Sequence, residues 1–207
     1  MTHPLFGDHR PLVAILRGVM PLEVEAIFEA LVEAGITLVE VPLNSPEPYA
    51  SIGKLARISN GRALVGAGTV LTEEQVVAVK DVGGTLIVSP NANPAVIART
   101  KALRLLSFPG VFTPTEAFSA LAAGADALKF FPAELIGTAG IRAMKAVLPR
   151  DVPVLAVGGA GAGNFSEFIK AGCSGFGIGS SLYKPGLNAE DVGARAREIV
   201  AAYDGAA

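Results

Sequence analysis

A single-domain α/β protein built as a (β/α)8 TIM barrel is the fold this 207-residue sequence predicts, and three observations lead there. Short apolar, β-branched runs alternate eight times with longer segments whose apolar residues recur at helical spacing. The runs are apolar on both faces, which requires a parallel sheet covered by helices, and eight such units close into a barrel. No composition shift or polar linker marks a second domain, and the length falls at the small end for this architecture. An open, doubly wound sheet is the alternative; it would gather a ligand at one switch point instead of at many strand ends.

The elements follow in order. Residues 11–16 read as the first strand, and Val24, Ile27, Phe28 and Leu31 set a helix over 21–34 that Gly35 ends with positive φ. The second strand is 36–41, with a helix over 46–59. Strand 63–68 leads to Thr72 and Gln75, which stand at capping-box spacing before an apolar run. Strand 86–89 precedes a helix over 94–103, strand 105–108 a helix over 114–123, and strand 127–131 a helix over 137–148. Strand 153–157 leads to a helix over 164–171, and strand 175–178 to a terminal helix over 188–203. Residues 1–10 are expected to be an N-terminal extension and 204–207 a frayed tail.

Composition removes several classes of function. Half the residues are hydrophobic and only 17% are charged, so the chain has the material for one sizeable core. The net charge is −2 with Lys and Arg spread along the chain, so no basic stripe is available for nucleic acid. A lone cysteine, Cys173, excludes an internal disulfide. His3 and His9 belong to no cluster with metal-ligand spacing, and no metal or cofactor is expected. No secretory leader and no run of about 18 apolar residues is found, so a cytoplasmic protein without membrane contact is expected.

Reactive groups in this barrel stand at the C-terminal ends of strands and face one mouth. Those ends read Arg17, Glu40, Thr69, Ser89-Pro90, Phe108-Pro109, Lys129, Gly158-Gly159 and Gly179-Ser180. Lys129 lies between Leu128 and Phe130-Phe131, where an ammonium is poorly solvated. Burial penalises the charged form, and a free amine attacks carbonyls; this is the environment of a Schiff-base lysine. The plainer reading is a lysine whose head snorkels into water.

Glu40, in Leu38-Val39-Glu40-Val41, is an acid held in an apolar strand end, where burial moves it towards the range of a group that gives and takes protons. Its alternative is a structural ion pair with Arg17. Arg17 offers a planar fork for a carboxylate. Thr69 follows glycines that allow close backbone approach, and its hydroxyl can bond a substrate oxygen or cap a helix, although Thr72 is better placed to cap. The glycine-rich segments 157–164 and 177–181 follow the seventh and eighth strands, the usual phosphate-binding loops of such barrels. Their spacing is not that of a dinucleotide fingerprint. A phosphorylated small molecule is the partner these features favour.

Taken together, Ala14-Ile15-Leu16-Arg17-Gly18, Val39-Glu40-Val41-Pro42-Leu43-Asn44-Ser45-Pro46, Gly66-Ala67-Gly68-Thr69, Ser89-Pro90-Asn91, Leu128-Lys129-Phe130-Phe131-Pro132, Ala156-Val157-Gly158-Gly159 and Gly177-Ile178-Gly179-Ser180 resemble the KDPG/KHG aldolase family. The likeness is greatest to its branch acting on 2-dehydro-3-deoxy-6-phosphogalactonate (KDPGal), because of Leu43-Asn44-Ser45-Pro46 and Val157. The resemblance implies a homotrimeric, metal-independent class I aldolase forming pyruvate and glyceraldehyde 3-phosphate. It makes Lys129 the Schiff-base former and Glu40 the proton donor and acceptor. Arg17 and Thr69 then hold the pyruvyl carboxylate, Phe131 supplies an apolar wall over the imine, Pro90 is a further substrate-binding residue, and Val157 bears on the C4 epimer preference. Gly159, Gly161, Gly179 and Ser180 hold the phosphate. Because 160–163 lacks the family's usual hydroxyl residue, the phosphate contacts there are expected to be backbone N–H only. The alternatives left open are the gluconate (KDPG) or 4-hydroxy-2-oxoglutarate activity of the same family, a non-catalytic phosphometabolite-binding barrel, and an isomerase using Glu40 without an imine.

Overall fold

The structure, a computed structural model, describes residues 3–206. Nine parallel strands form one sheet: β1 (Leu12–Ile15), β2 (Leu38–Pro42), β3 (Leu64–Gly68), β4 (Leu86–Val88), β5 (Leu106–Phe108), β6 (Gly110–Val111), β7 (Leu128–Phe130), β8 (Val154–Val157) and β9 (Gly175–Ile178). Their order in space is β5-β4-β3-β2-β1-β9-β8-β7-β6. The two edges, β5 and β6, are consecutive in the chain and flank Pro109. Proline has no N–H to give to a ladder, so one stave is split into two strands. The circle closes there, with Lys129 N–H donating to Pro109 C=O at 2.9 Å and Asp126 N–H to Ser107 C=O at 3.0 Å. Eight staves were expected, and eight are present once this break is understood.

Helices cover the outside: α1 (Val24–Ala34), α2 (Pro48–Ser59), α3 (Glu73–Asp81), α4 (Pro94–Ala102), α5 (Pro114–Ala122), α6 (Ala133–Lys145), α7 (Phe165–Lys170) and α8 (Ala189–Asp204). Their starts are set by local chemistry. Thr72 and Gln75 form the capping box expected of them, and Thr113 with Glu116 forms a second one. Gly35 ends α1 at φ 93°, its N–H donating to Leu31 and Val32 carbonyls. The two helix starts that differ most from expectation are those of α1 and α6. α1 begins at Val24, because the Glu23 carboxylate bonds the Met20 N–H and keeps 20–23 in a turn. α6 begins at Ala133, directly after Pro132, and Gly137 (φ 66°, ψ 165°) kinks it instead of starting it.

The strands are pleated so that alternate residues face the helices and the barrel axis. Val39, Val41, Leu128 and Phe130 join the layer under the helices, whereas Val13, Ile15, Leu38, Leu86, Val88, Phe108, Leu155 and Val157 fill the interior. The N-terminal extension closes the barrel floor. A 3₁₀ turn over Pro4–Phe6 buries Phe6 among those interior residues, edge-on to Phe108 with centroids 6.3 Å apart. Of the tail expected to fray from 204, Asp204 belongs to α8 and accepts two hydrogen bonds from Arg10, at 2.8 and 2.9 Å. Met1, Thr2 and Ala207 lie outside the described residues.

Candidate active site

β7 presents Lys129 and β2 presents Glu40 by the same rule of alternation. With Leu128 and Phe130 turned to the helices, Lys129 turns inward; with Val39 and Val41 turned outward, Glu40 shares the inner face with Leu38. Both line one space inside the open end of the barrel, walled otherwise by Ile15, Val88, Phe108 and Val157. Lys129 is 8% exposed and Glu40 2%. No hydrogen bond or ion pair joins them within 4.0 Å. The Lys129 ammonium lies 4.7 Å from the centre of the Phe131 ring, and Glu40 Oε2 is fully buried without any hydrogen-bond partner.

Burial decides the protonation of both groups. It lifts Glu40 from the ordinary 4.5 to about 7, against the pull of the Lys129 and Arg17 cations. It also lowers the Lys129 ammonium, opposed by the Glu40 charge and aided by that of Arg17. In each case desolvation outweighs attraction, so burial moves each group towards its neutral form. The snorkelling alternative is excluded by the inward direction and burial of Lys129.

Gly68 explains how a carboxyl fits so deep. A Cβ built there would stand 1.6 Å from Glu40 Oε2, so the carboxyl rests directly on the Gly68 backbone. The glycines of 66–68 were expected to admit a ligand; at Gly68 it is Glu40 that makes the close approach. Thr69 follows at φ +57°, a strained conformation for a β-branched residue and one kept only where the surroundings impose it. Thr72, not Thr69, caps α3.

Above Lys129 and Glu40 lies an open cleft of about 410 Å³, which shares Ile15, Val157 and Gly177 with the inner space. Arg17, Phe131, Val157, Gly159, Gly161, Gly179 and Ser180 line it. Thr69 and Pro90 line neither space and stand at neighbouring strand ends. Arg17 is exposed and pairs with Asn44, whose Oδ1 accepts from Nη1, instead of forming the ion pair with Glu40. Beside it, Ser45 Oγ accepts from Gly18 N–H at 2.9 Å, so the loop after β2 supports the turn after β1. One backbone donor differs from expectation: Gly161 N–H is donated to Asn164 Oδ1 at 3.0 Å. Gly68 and Asn164 were given no role of their own from the sequence, and Asn44 only a place in the segment that points to the KDPGal branch. Their roles are contacts between strands or across loops; only the position of Asn164, between a glycine run and a helix, gave any signal.

Among the described residues no group of three or more His, Cys, Asp or Glu is placed to hold a metal ion, and no helix is long and apolar enough to cross a membrane.

The likenesses to known proteins agree with this geometry. The family model for KDPG and KHG aldolases matches residues 8–197. A probable 2-dehydro-3-deoxy-6-phosphogalactonate aldolase of Rhizobium meliloti (strain 1021) is 52% identical, over 97% of this chain and 95% of its own. The 2-dehydro-3-deoxy-6-phosphogalactonate aldolase of Escherichia coli (strain K12) is 47% identical, over 93% and 94%. A solved native KDPGal structure, 47% identical, superposes with a TM-score of 0.93 and covers 95% of each chain. With the family match spanning all nine strands, and relatives this similar over nearly their whole length, the chain belongs to the KDPG and KHG aldolase family.

Proposed function

We propose that the chain is a class I aldolase that cleaves KDPGal to pyruvate and glyceraldehyde 3-phosphate through an imine on Lys129, without a metal. The observation that carries this is the pair of inward-facing groups, Lys129 and Glu40, buried in one mouth and both driven towards neutrality. A neutral amine is the form that attacks a ketone, and a carboxyl near 7 both gives and takes a proton at working pH.

In the cleavage direction, Lys129 Nζ adds to the C2 carbonyl, and Glu40 protonates the departing hydroxyl of the carbinolamine as it leaves as water. The protonated imine accepts the C3–C4 bonding pair when the C4 hydroxyl loses its proton, so the phosphorylated aldehyde departs and an enamine remains. Protonation of the enamine at C3 and addition of water to the imine release pyruvate and restore the amine. Glu40 lines the same space as Lys129, so its carboxyl is placed to relay these protons through a water or hydroxyl there. The Phe131 face beside Nζ suits the cationic imine and shields it from water.

Arg17, aimed by Asn44, and Thr69 and Pro90 serve the carboxylate end. Gly159, Gly161, Gly179 and Ser180 serve the phosphate end. Val157, which offers no donor or acceptor, serves C4. Preference for the galactonate epimer is supported by the two relatives named for that substrate and by Asn44 and Val157. A phosphorylated substrate does not cross membranes, which favours a cytoplasmic enzyme, and a homotrimer is the assembly this reading adopts.

Pyruvate release from KDPGal and from its gluconate epimer tests the reading. A selectivity of about tenfold or more in kcat/KM for KDPGal is expected, the size of one hydroxyl contact or clash. Preference for the gluconate compound or for 4-hydroxy-2-oxoglutarate would move the chain to another activity of its family. Release from none of them contradicts an aldolase.

A further inference from the structure

The loop after β8 folds around one side chain that the chemistry above leaves unused. Asn164 stands at the N-cap of α7, where an asparagine ordinarily turns its carboxamide forward to accept a hydrogen bond from its own helix. Here no hydrogen bond runs from the side chain to α7. Both halves of the carboxamide turn back instead. Oδ1 accepts from Gly161 N–H at 3.0 Å, and Nδ2 donates to Gly159 C=O at 2.8 Å. The Asn164 N–H adds a third tie, to Gly161 C=O at 3.1 Å.

The start of this loop is held from outside, with Gly158 C=O accepting from Glu134 N–H at 3.0 Å and Gly159 packed on Glu134, but beyond Gly159 little else holds it. Segment 158–164 contains Gly158, Gly159, Gly161 and Gly163, the residue type that loses most freedom on being ordered. A Cβ at Gly163 would meet nothing within 4 Å, and one at Gly161 only Ser181 Oγ at 3.9 Å, so side-chain packing does not fix the backbone there. Asn164 does so from within, and the Gly161 N–H is consumed in the process. The N–H groups of Gly159, Gly179 and Ser180, on the same cleft, donate to no turn or loop acceptor among the described residues.

We propose that Asn164 is a positioning residue for the phosphate end of the substrate: it presets the 158–164 loop so that its free amide groups meet a phosphate together with those of Gly179 and Ser180. This rests on the aldolase reading, which puts the phosphate in that cleft. Gly161 then contributes through the loop's shape and not through its own N–H.

The test runs in the condensation direction with pyruvate and either glyceraldehyde 3-phosphate or glyceraldehyde. For Asn164→Ala, KM for the phosphorylated aldehyde rises about 10- to 100-fold, the loss of two hydrogen bonds, while kcat changes by less than about threefold. The preference for the phosphorylated over the plain aldehyde falls by a similar factor. An unchanged preference, or equal losses on both aldehydes, overturns the proposal, the second by showing a structural role only. Trapping of pyruvate on Lys129 by borohydride shows that the variant is folded. Should it fail, Asn164→Ser, which keeps a short uncharged acceptor and loses the carboxamide's reach to Gly159, is read in the same way and faces the same two contrary outcomes. A wild-type enzyme indifferent to the phosphate overturns the underlying reading, and this proposal with it, before any variant is made.

Discussion

Glu40 carries the sharpest residue-scale consequence, because its burial couples stability to pH. A carboxyl raised from 4.5 to about 7 favours the folded state below the unfolded value, and that contribution is lost as pH rises through about 7. Glu40→Gln keeps the shape and removes the titration. It is expected to unfold at higher urea than wild type at pH 8, by on the order of 2 kcal/mol, with no such gain at pH 4. Its kcat is expected to fall by about 100-fold or more, the usual worth of a positioned acid-base group. Equal stability of the two proteins at pH 8 would sink the claim that Glu40 is buried at the cost of its charge. At this scale Lys129 and Glu40 were legible, since a charged residue inside an apolar strand end declares its own burial. Their supports were not. Gly68 beneath the Glu40 carboxyl and Asn44 beside Arg17 act across strands and loops, and a one-dimensional pattern does not say which side chains meet.

At the scale of elements, alternation of apolar runs with helical periods was enough to locate every stave and every covering helix. The ends shifted by up to three or four residues, because caps and turns are decided by single side chains. The Glu23 carboxylate delays α1, and Pro132 advances α6. Pro109 splits one stave for a reason visible in the sequence, its missing N–H, although the strand beyond it is only Gly110–Val111 and too short to show a period. The capping box of α5 gives a direct check. Thr113 accepts from Glu116 N–H, and Glu116 accepts from Phe112 and Thr113 N–H groups, which holds its carboxyl below the usual range. Thr113→Ala is expected to lower stability by about 1 kcal/mol in urea unfolding. A loss below about 0.3 kcal/mol would mean that α5 is held by packing alone.

For the whole molecule, the barrel turns eight local decisions into one site. Strand ends distant in sequence converge, so that a lysine at 129 and a carboxyl at 40 share an enclosure neither could form locally. The closed floor was not foreseen: Phe6 lies in a stretch without period, and what it packs against comes from other staves. That enclosure, which shares Ile15, Val157 and Gly177 with the glycine-lined cleft, leads to one central claim, that the Lys129 amine forms an imine with pyruvate. Borohydride added with pyruvate, in chelator, tests it most directly by intact mass and peptide mapping. A single reduced adduct is expected on Lys129 and none in Lys129→Ala; an unchanged mass, or an adduct on another lysine, would rule the imine out.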